Sequence, residues 1–493
     1  MPIPRQPAEN PVVLTSILST ALVTAAFLGP TTGAPPATVD GAAVDALVEQ
    51  YREEAAVPGV AVAVTRGTTV VHTAGYGRTP DGEAVSDRTT MAAASVSKSF
   101  TALAAVQLAE SGRIRLDDPV RAHLPEFAMA DPRADAITVR QLLDQTSGMS
   151  DTTFRSFSGP QVRTLREAVA SMRGAGLAAA PGTRWEYHNP NFQVAARLVE
   201  VVSGLSFDDY LRRTVFGPLG MVDSRTADTA RDLPPGARGH LKVLDRPVAL
   251  PEPPAFGNGS GGVLTSARDL AAWLIAQNDG GRGPGGTSIA SPQGIAATHT
   301  PSAASGSYGL GWFVGTTPSG APLVHHGGDL FTSTAYQALL PASGHGIAVM
   351  ANTGMQYGDA QAIGDRLVAL VEGGRSPAAG DSYLVADIVL LVLALAVVPV
   401  SVRGVVRSRR WAARRSSGWR AVARLLPLLL PAALAAVVHR VVGFLYRGRD
   451  VSWVQVSYLY PTFMVLLVVA ALGCTAVLVG RVLALFREVH TSV

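Results

Sequence analysis

One cysteine, two lysines and a sparse set of charges limit what this 493-residue chain can be. The single Cys474 sits inside an apolar run, which excludes an intramolecular disulfide, a cysteine-based metal cluster and a Cys-rich scaffold. No cysteine near the N-terminus is available to carry a lipid anchor. Charged residues are only 16% of the chain and hydrophobic ones 47%, with a mean hydropathy of +0.24. That balance excludes a largely disordered protein and is high for a wholly soluble one, so a membrane part is expected. The length corresponds to about two to three domains. The formal charge of +4 is unevenly spread: residues 383–493 hold 13 Arg, no Lys and 3 acids, whereas residues 1–382 carry a net of −6. With no bulk positive charge on the globular part, a nucleic-acid partner is not expected.

Near the N-terminus, Arg5 precedes a mostly apolar stretch at 11–28 and small residues around 33–37. Residues 1–37 therefore resemble a signal sequence, with an uncleaved N-terminal anchor as the alternative. Three further apolar segments lie at about 384–402, 425–446 and 456–480. A helix rises about 1.5 Å per residue, so each is long enough to cross a hydrocarbon core of about 30 Å. The second contains Pro427, Pro431, His439 and Arg440, and Arg440 must snorkel to an interface or face another helix. Seven arginines crowd residues 403–420, while the next loop has Arg447 and Arg449 against Asp450. Positive charge is retained on the cytoplasmic side, so this asymmetry predicts a cell-membrane, multi-pass protein with everything before residue 384 outside. The expected division is 1–37 signal or anchor, 38–375 globular domain, 376–383 linker and 384–493 membrane region in contact with lipid.

Within the globular part, residues 39–55 read as an amphipathic helix, and 57–65 and 69–76 as strands joined by Arg66-Gly67. Helical patterns follow at 97–111, 139–145, 163–174, 191–203 and 207–216. Strand-like runs return at 308–314, 333–340 and 346–351, before a last helix at 359–372. Gly/Pro-rich stretches at 233–262 and 278–292 read as surface loops. Helix, two strands, a helical insertion, then strands and a helix predict an α/β (α+β) domain whose sheet is assembled from both ends of the chain.

The scarcity of lysine is the strongest chemical signal. Of 41 basic residues, only Lys98 and Lys242 are lysine, so arginine serves almost wherever a permanent cation suffices. A buried ammonium can give up its proton and a guanidinium effectively cannot. Lys98 lies three residues after Ser95 at the start of a predicted helix, so the two share a face. A serine whose proton can pass to a neutral amine is an activated nucleophile. Taken alone, Ser-x-x-Lys equally describes a capping serine and a solvated lysine.

Two other stretches can supply a site. After the Pro181-Gly182 turn, Tyr187 can act as a base if a lysine favours its phenolate, and Asn189 offers an amide to a substrate carbonyl. Taken alone, Tyr187 equally suits a half-buried core position. Further on, in Val324-His325-His326-Gly327-Gly328-Asp329, the glycines let a substrate backbone lie close to a strand. A backbone N–H there can join that of Ser95 in holding an oxyanion. Adjacent histidines on a strand point to opposite faces, so no metal site is expected.

Together these three motifs resemble the serine β-lactamase and penicillin-binding-protein superfamily, most closely the class C β-lactamase-related serine hydrolases. Residues 137–149, 216–221 and 261–270 add to the likeness, which spans about 38–373. The resemblance implies a β-lactamase/transpeptidase-like antiparallel sheet flanked by helices with an inserted helical region. It implies that Ser95 forms an acyl-enzyme with Lys98 and Tyr187 handling protons, that Asn189, His326, Gly327 and Gly328 bind substrate, and that no cofactor is needed. The chain departs from that pattern in two places. Histidine, His326 or in another frame His325, stands where the family's Lys-Thr-Gly begins, removing a cation that would grip a substrate carboxylate. Downstream, Phe331-Thr332-Ser333 replaces the Gly-Phe or Asn-Phe of many relatives. Hydrolysis of amide or ester bonds in cell-wall-type peptides is the leading expectation. A lipase-like esterase on small acyl esters and a catalytically weak peptide-binding scaffold or sensor remain alternatives. The sequence does not fix the oligomeric state.

Overall fold

The computed structural model describes residues 39–375, 377, 382–414 and 418–491; the expected signal or anchor at 1–37 lies outside them. A six-stranded antiparallel sheet is built from β1 (Gly59–Arg66), β2 (Thr69–Gly77), β3 (Phe313–Thr316), β4 (Pro322–Asp329), β5 (Thr334–Leu340) and β6 (His345–Ala351), in the order β2-β1-β6-β5-β4-β3. The first hairpin and the last strands meet where β1 pairs with β6, Val60 opposite Ala351 and Val64 opposite Ile347.

Successive side chains on a strand alternate between faces, and both faces of this sheet are covered. Val60, Val62 and Val64 of β1, with Ile347 and Val349 of β6 and Tyr336 and Ala338 of β5, meet helices α1 (Gly41–Glu54) and α5 (Asp359–Glu372). The intervening Ala61, Ala63, Ala348 and Met350 face the larger core, which contains α2 (Ser97–Glu110), α3 (Asn189–Ser203) and α4 (Ala267–Asn278). Valine and isoleucine on one face and mostly small residues on the other let α4 lie close to the sheet. Burying each valine side chain contributes about 1.5–3 kcal/mol. A polar chain crosses the same layer: Trp273 Nε1 donates to Gln337 Oε1 at 3.0 Å, and Gln337 Nε2 donates to Ser99 Oγ at 3.0 Å. It ties α4 and β5 to the first turn of α2.

Three expectations need correction. Residues 308–312 do not form a strand: Gly311 has φ +78°, and β3 starts only at Phe313. The stretch at 233–262 contains a hairpin, Gly239–Val243 paired with Arg246–Leu250. Its turn residues Leu244 and Asp245 both have φ +54°, the backbone of a type I′ turn without the Asn-Gly pair that would advertise it. The last apolar segment is broken: helix Trp453–Leu459 ends before Tyr460, and the long helix begins at Pro461. Proline disfavours helical geometry in the residue before it.

The tail comprises α6 (Leu384–Val406), α7 (Leu430–Leu445) and α8 (Pro461–Thr491). Among the described residues three helical stretches are long and apolar enough to cross a membrane, Leu384–Val406, Gly418–Leu445 and Pro461–Arg487. Gly404 lies against Val477 and Gly473 against Ser401, so small residues let α6 and α8 approach closely. Large apolar side chains such as Val385, Leu395 and Phe444 point outward.

Candidate active site

Ser95 sits in a 3-10 turn, Ala94–Val96, that runs directly into α2. A two-residue strand, Met91–Ala92, anchors this turn, and Ala93 N donates to Val263 O at 2.9 Å. Ala94 has φ +47°, a left-handed conformation that costs a non-glycine residue about 1–2 kcal/mol. Strain of this kind collects at functional sites. Ala93, Ala94 and Val96 are buried, and Ser95 is only half-buried.

One turn along α2, Lys98 brings Nζ to 3.0 Å from Ser95 Oγ and donates to Ser260 O at 2.7 Å. Its side chain is wholly buried. Burial and then the charge of Arg449 pull the Lys98 pKa well below the usual lysine value, against the opposing pull of Asp329. An amine so placed can be neutral and take the serine proton. The other lysine has a different part: Lys242 Nζ lies 2.8 Å from Asp359 in a buried ion pair and 4.4 Å from the centre of the Tyr357 ring.

The Tyr187 ring lies 4.8 Å from Lys98 Nζ and 6.2 Å from the His326 ring. Asn189 opens α3, and Pro190 suits that first turn, where its missing N–H costs nothing. Asn189 Oδ1 is buried without a hydrogen-bond partner, an acceptor that a substrate N–H can satisfy. Gln145, at φ +63°, fixes this segment. Its Oε1 accepts from His188 N at 3.1 Å and Asn191 Nδ2 at 2.6 Å, and its carbonyl accepts from Glu186 N at 2.9 Å. Sequence reasoning gave residues 145–151 no role of their own. Their turn-forming Thr-Ser-Gly was the available signal.

On β4, Val324, His326 and Gly328 share the buried face toward the larger core. His325 turns to the other face, its ring 5.9 Å from that of Tyr336 in the smaller core, so His326 is the histidine at the site. A Cβ on Gly328 would lie 2.5 Å from Ala93 O and 3.1 Å from Ser95 N; only glycine lets this strand touch the serine turn. Gly327 points its missing side chain toward Gln361 of α5 and adds only backbone, its carbonyl accepting from His326 Nδ1 at 2.5 Å. With that nitrogen donating, His326 Nε2 accepts from the Tyr308 hydroxyl at 3.0 Å. Burial, and then the nearby Lys98 charge, hold the His326 pKa down at about 3, so the ring is neutral where the family's lysine would be charged.

The site thus brings together Ser95, Lys98, Tyr187, His326 and Gly328, with Asn189 two residues beyond Tyr187 at the start of α3. It also includes one residue from the tail, Arg449, whose Nη1 donates to Tyr187 O at 2.8 Å. Among the described residues no three His, Cys, Asp or Glu side chains converge as a metal site would require.

A serine facing a buried lysine on this antiparallel frame defines a class, the serine hydrolases with penicillin-binding-protein-like architecture. The Beta-lactamase family profile matches residues 44–371, and the chain belongs to that family. Protein flp of Staphylococcus aureus (strain COL) is 29% identical over 320 residues, covering 64% of this chain and 63% of that protein. Penicillin-binding protein 4 of Amycolatopsis lactamdurans is 30% identical over 324 residues, covering 62% of this chain and 84% of the relative. The structure of the octameric penicillin-binding protein homologue from Pyrococcus abyssi matches with a TM-score of 0.57 at 25% identity, over 71% of this chain and 81% of that one. The chain thus spans less than two thirds of the length of the flp protein.

Proposed function

We propose that this protein is a membrane-anchored, outward-facing serine hydrolase that cleaves amide or ester bonds through an acyl-serine intermediate, with cell-wall-type peptides as its substrate class. The observation that carries the reading is the 3.0 Å approach of the buried Lys98 amine to Ser95 Oγ. Ser95 Oγ attacks the carbonyl carbon while its proton passes to the Lys98–Tyr187 pair. The tetrahedral oxygen faces the Ser95 N–H. Collapse returns the proton to the leaving amine or alkoxide, and water later releases the acyl group by the reverse path. Asn189 Oδ1 and the β4 edge align the substrate chain.

The expected orientation, with the catalytic domain outside the cell membrane, supports the peptide reading. Asp387, at the start of α6, accepts from Leu244 N of the hydrolase domain at 2.8 Å, whereas the arginine-rich stretch follows the other end of that helix. Domain and arginines therefore lie at opposite ends of α6, and the retention of positive charge inside supports an outward-facing domain. An esterase on small acyl esters is the second reading, favoured by the neutral His326 and by the aromatic wall of Trp185, Tyr308 and Phe313.

Full-length protein in detergent, incubated with a fluorescent penicillin and a fluorophosphonate beside Ser95→Ala, tests both. Labelling by both probes that is lost in the variant is expected. Labelling by the fluorophosphonate alone supports the esterase. Peptidoglycan binding without any adduct would turn the protein into a scaffold and sink the hydrolase.

A further inference from the structure

The tail touches the hydrolase domain beside the site as well as at the start of α6. Tyr458 donates its hydroxyl to Pro251 O at 2.7 Å and meets Phe331, just beyond β4, edge-on at 6.2 Å. The loop between the second and third spanning segments reaches the opposite flank. There Asp450 accepts from Phe157 N at 2.6 Å, Ser158 N at 2.9 Å and Ser158 Oγ at 2.6 Å, while its own N–H donates to Asp151 Oδ2 at 3.1 Å. Arg449 Nε lies 3.5 Å from the same Asp151 oxygen, and its guanidinium carbon lies 5.4 Å from the centre of the Tyr187 ring. The second Asp151 oxygen meets His188 Nδ1 at 2.7 Å. Asp151 thus receives contacts from the tail loop and from the residue next to Tyr187.

We propose that this loop completes the active site: Arg449 is a positioning residue that holds Tyr187 against Lys98, so that acylation of Ser95 depends on the docked membrane tail. The proposal rests on the acyl-serine reading above and adds a dependence that the serine–lysine geometry alone does not require. Three features carry it. Arg449 grips the Tyr187 carbonyl directly and lies over its ring, so it contacts both the backbone and the phenol. Asp450 fastens the loop through two backbone N–H groups and a hydroxyl, a dense set of charge-assisted bonds for so short a segment. Asp151, although burial opposes it, is kept below the usual carboxylate range by His188, Arg449 and the Asp450 N–H, so it is an anion available to hold Arg449. The groups acting on Lys98 from around it are Ser95, Ser260, Tyr187, Phe192, His326, Asp329 and Arg449. Removing the Arg449 cation leaves the amine easier to protonate.

The test uses the full chain in lipid nanodiscs and follows the rate of Ser95 labelling by a fluorophosphonate from pH 5 to 10, with thermal unfolding measured alongside. Arg449→Ala is expected to slow labelling by about 10- to 100-fold, as small misplacements of a catalytic group do. Its acid limb should also move to higher pH. Arg449→Lys keeps the charge and should leave the limb near its wild-type position while recovering part of the rate. Asp450→Ala, which loosens the loop, should slow labelling too. A purely structural role would lower the unfolding temperature without moving the limb, and that result overturns the proposal. So does an Arg449→Ala rate and limb equal to wild type while Ser95-dependent labelling persists. Should either alanine variant fail to fold, the rate and limb of Arg449→Lys decide, a wild-type rate counting against the proposal. Absence of Ser95-dependent labelling in the wild type fails the hydrolase reading itself and takes this one with it.

Discussion

Lys98 contacts a serine hydroxyl and a backbone carbonyl, with Asp329 as the opposing charge, and so pays for its position in stability. Its pKa is lowered in the folded protein, whereas the unfolded chain binds a proton up to about pH 10.4. Between the folded and unfolded values the unfolded state holds more protons, so stability rises with pH across that window and Lys98 is a burden below it. Lys98→Met, which keeps the volume and removes the ionisable group, is therefore expected to raise the melting temperature at pH 7 by a few degrees. The same variant should abolish Ser95 labelling. Lys98→Arg should also be inactive, by about 100-fold or more, because a guanidinium does not release its proton. The acid limb of activity belongs to Lys98 and not to His326, whose pKa of about 3 leaves it neutral through the working range. In a pH–rate profile, His326→Gln should lower the plateau and leave the limb in place; a shifted limb would assign the titration to the imidazole.

Strand β4 and the buttress at 145–151 decide where those residues stand. Gly328→Ala would drive a methyl group into Ala93 O at 2.5 Å, at a cost of about 1–3 kcal/mol, and displace the Ser95 turn. Its expected signature is a larger loss in labelling rate than in melting temperature. Gln145→Ala would strip His188 N and Asn191 Nδ2 of their shared acceptor. A loss of about 1–3 kcal/mol is expected, read by denaturant unfolding. Some of this architecture was legible in the sequence and some was not. The β1–β2 hairpin announced itself through two β-rich runs joined by Arg66-Gly67, and Ser95 and Lys98 through helical spacing. Helix α4 did not, because Leu270, Trp273, Leu274, Ile275 and Gln277 are buried around nearly its whole circumference, leaving no polar face to set a period. The glycines of β4 hide a strand from any propensity argument, since their value lies in what they permit next to Ser95. Gln145 reads as an ordinary helix-end residue until the 186–191 segment is folded over it.

At the scale of the whole molecule, the contact between Arg449 and Tyr187 joins residues 262 positions apart, a separation that no local pattern encodes. Topology is constrained more simply. The hydrolase domain packs against the start of α6 through Asp387 and against the loop carrying Arg449 and Asp450. The 23 residues of α6 are long and apolar enough to cross a bilayer, and in the proposed topology the arginine-rich stretch beyond Val406 faces the side away from the domain. In that topology the arginines lie on the cytoplasmic side. In a Cys474→Ser background, a single cysteine at exposed Glu53 of α1 should react with a membrane-impermeant maleimide in intact cells, through the outer envelope where one exists. A cysteine at exposed Arg410 should react only after the membrane is opened. Equal reactivity of Glu53→Cys and Arg410→Cys in intact cells would place domain and arginines on one face, and would separate the hydrolase chemistry from any cell-wall substrate reached through this orientation.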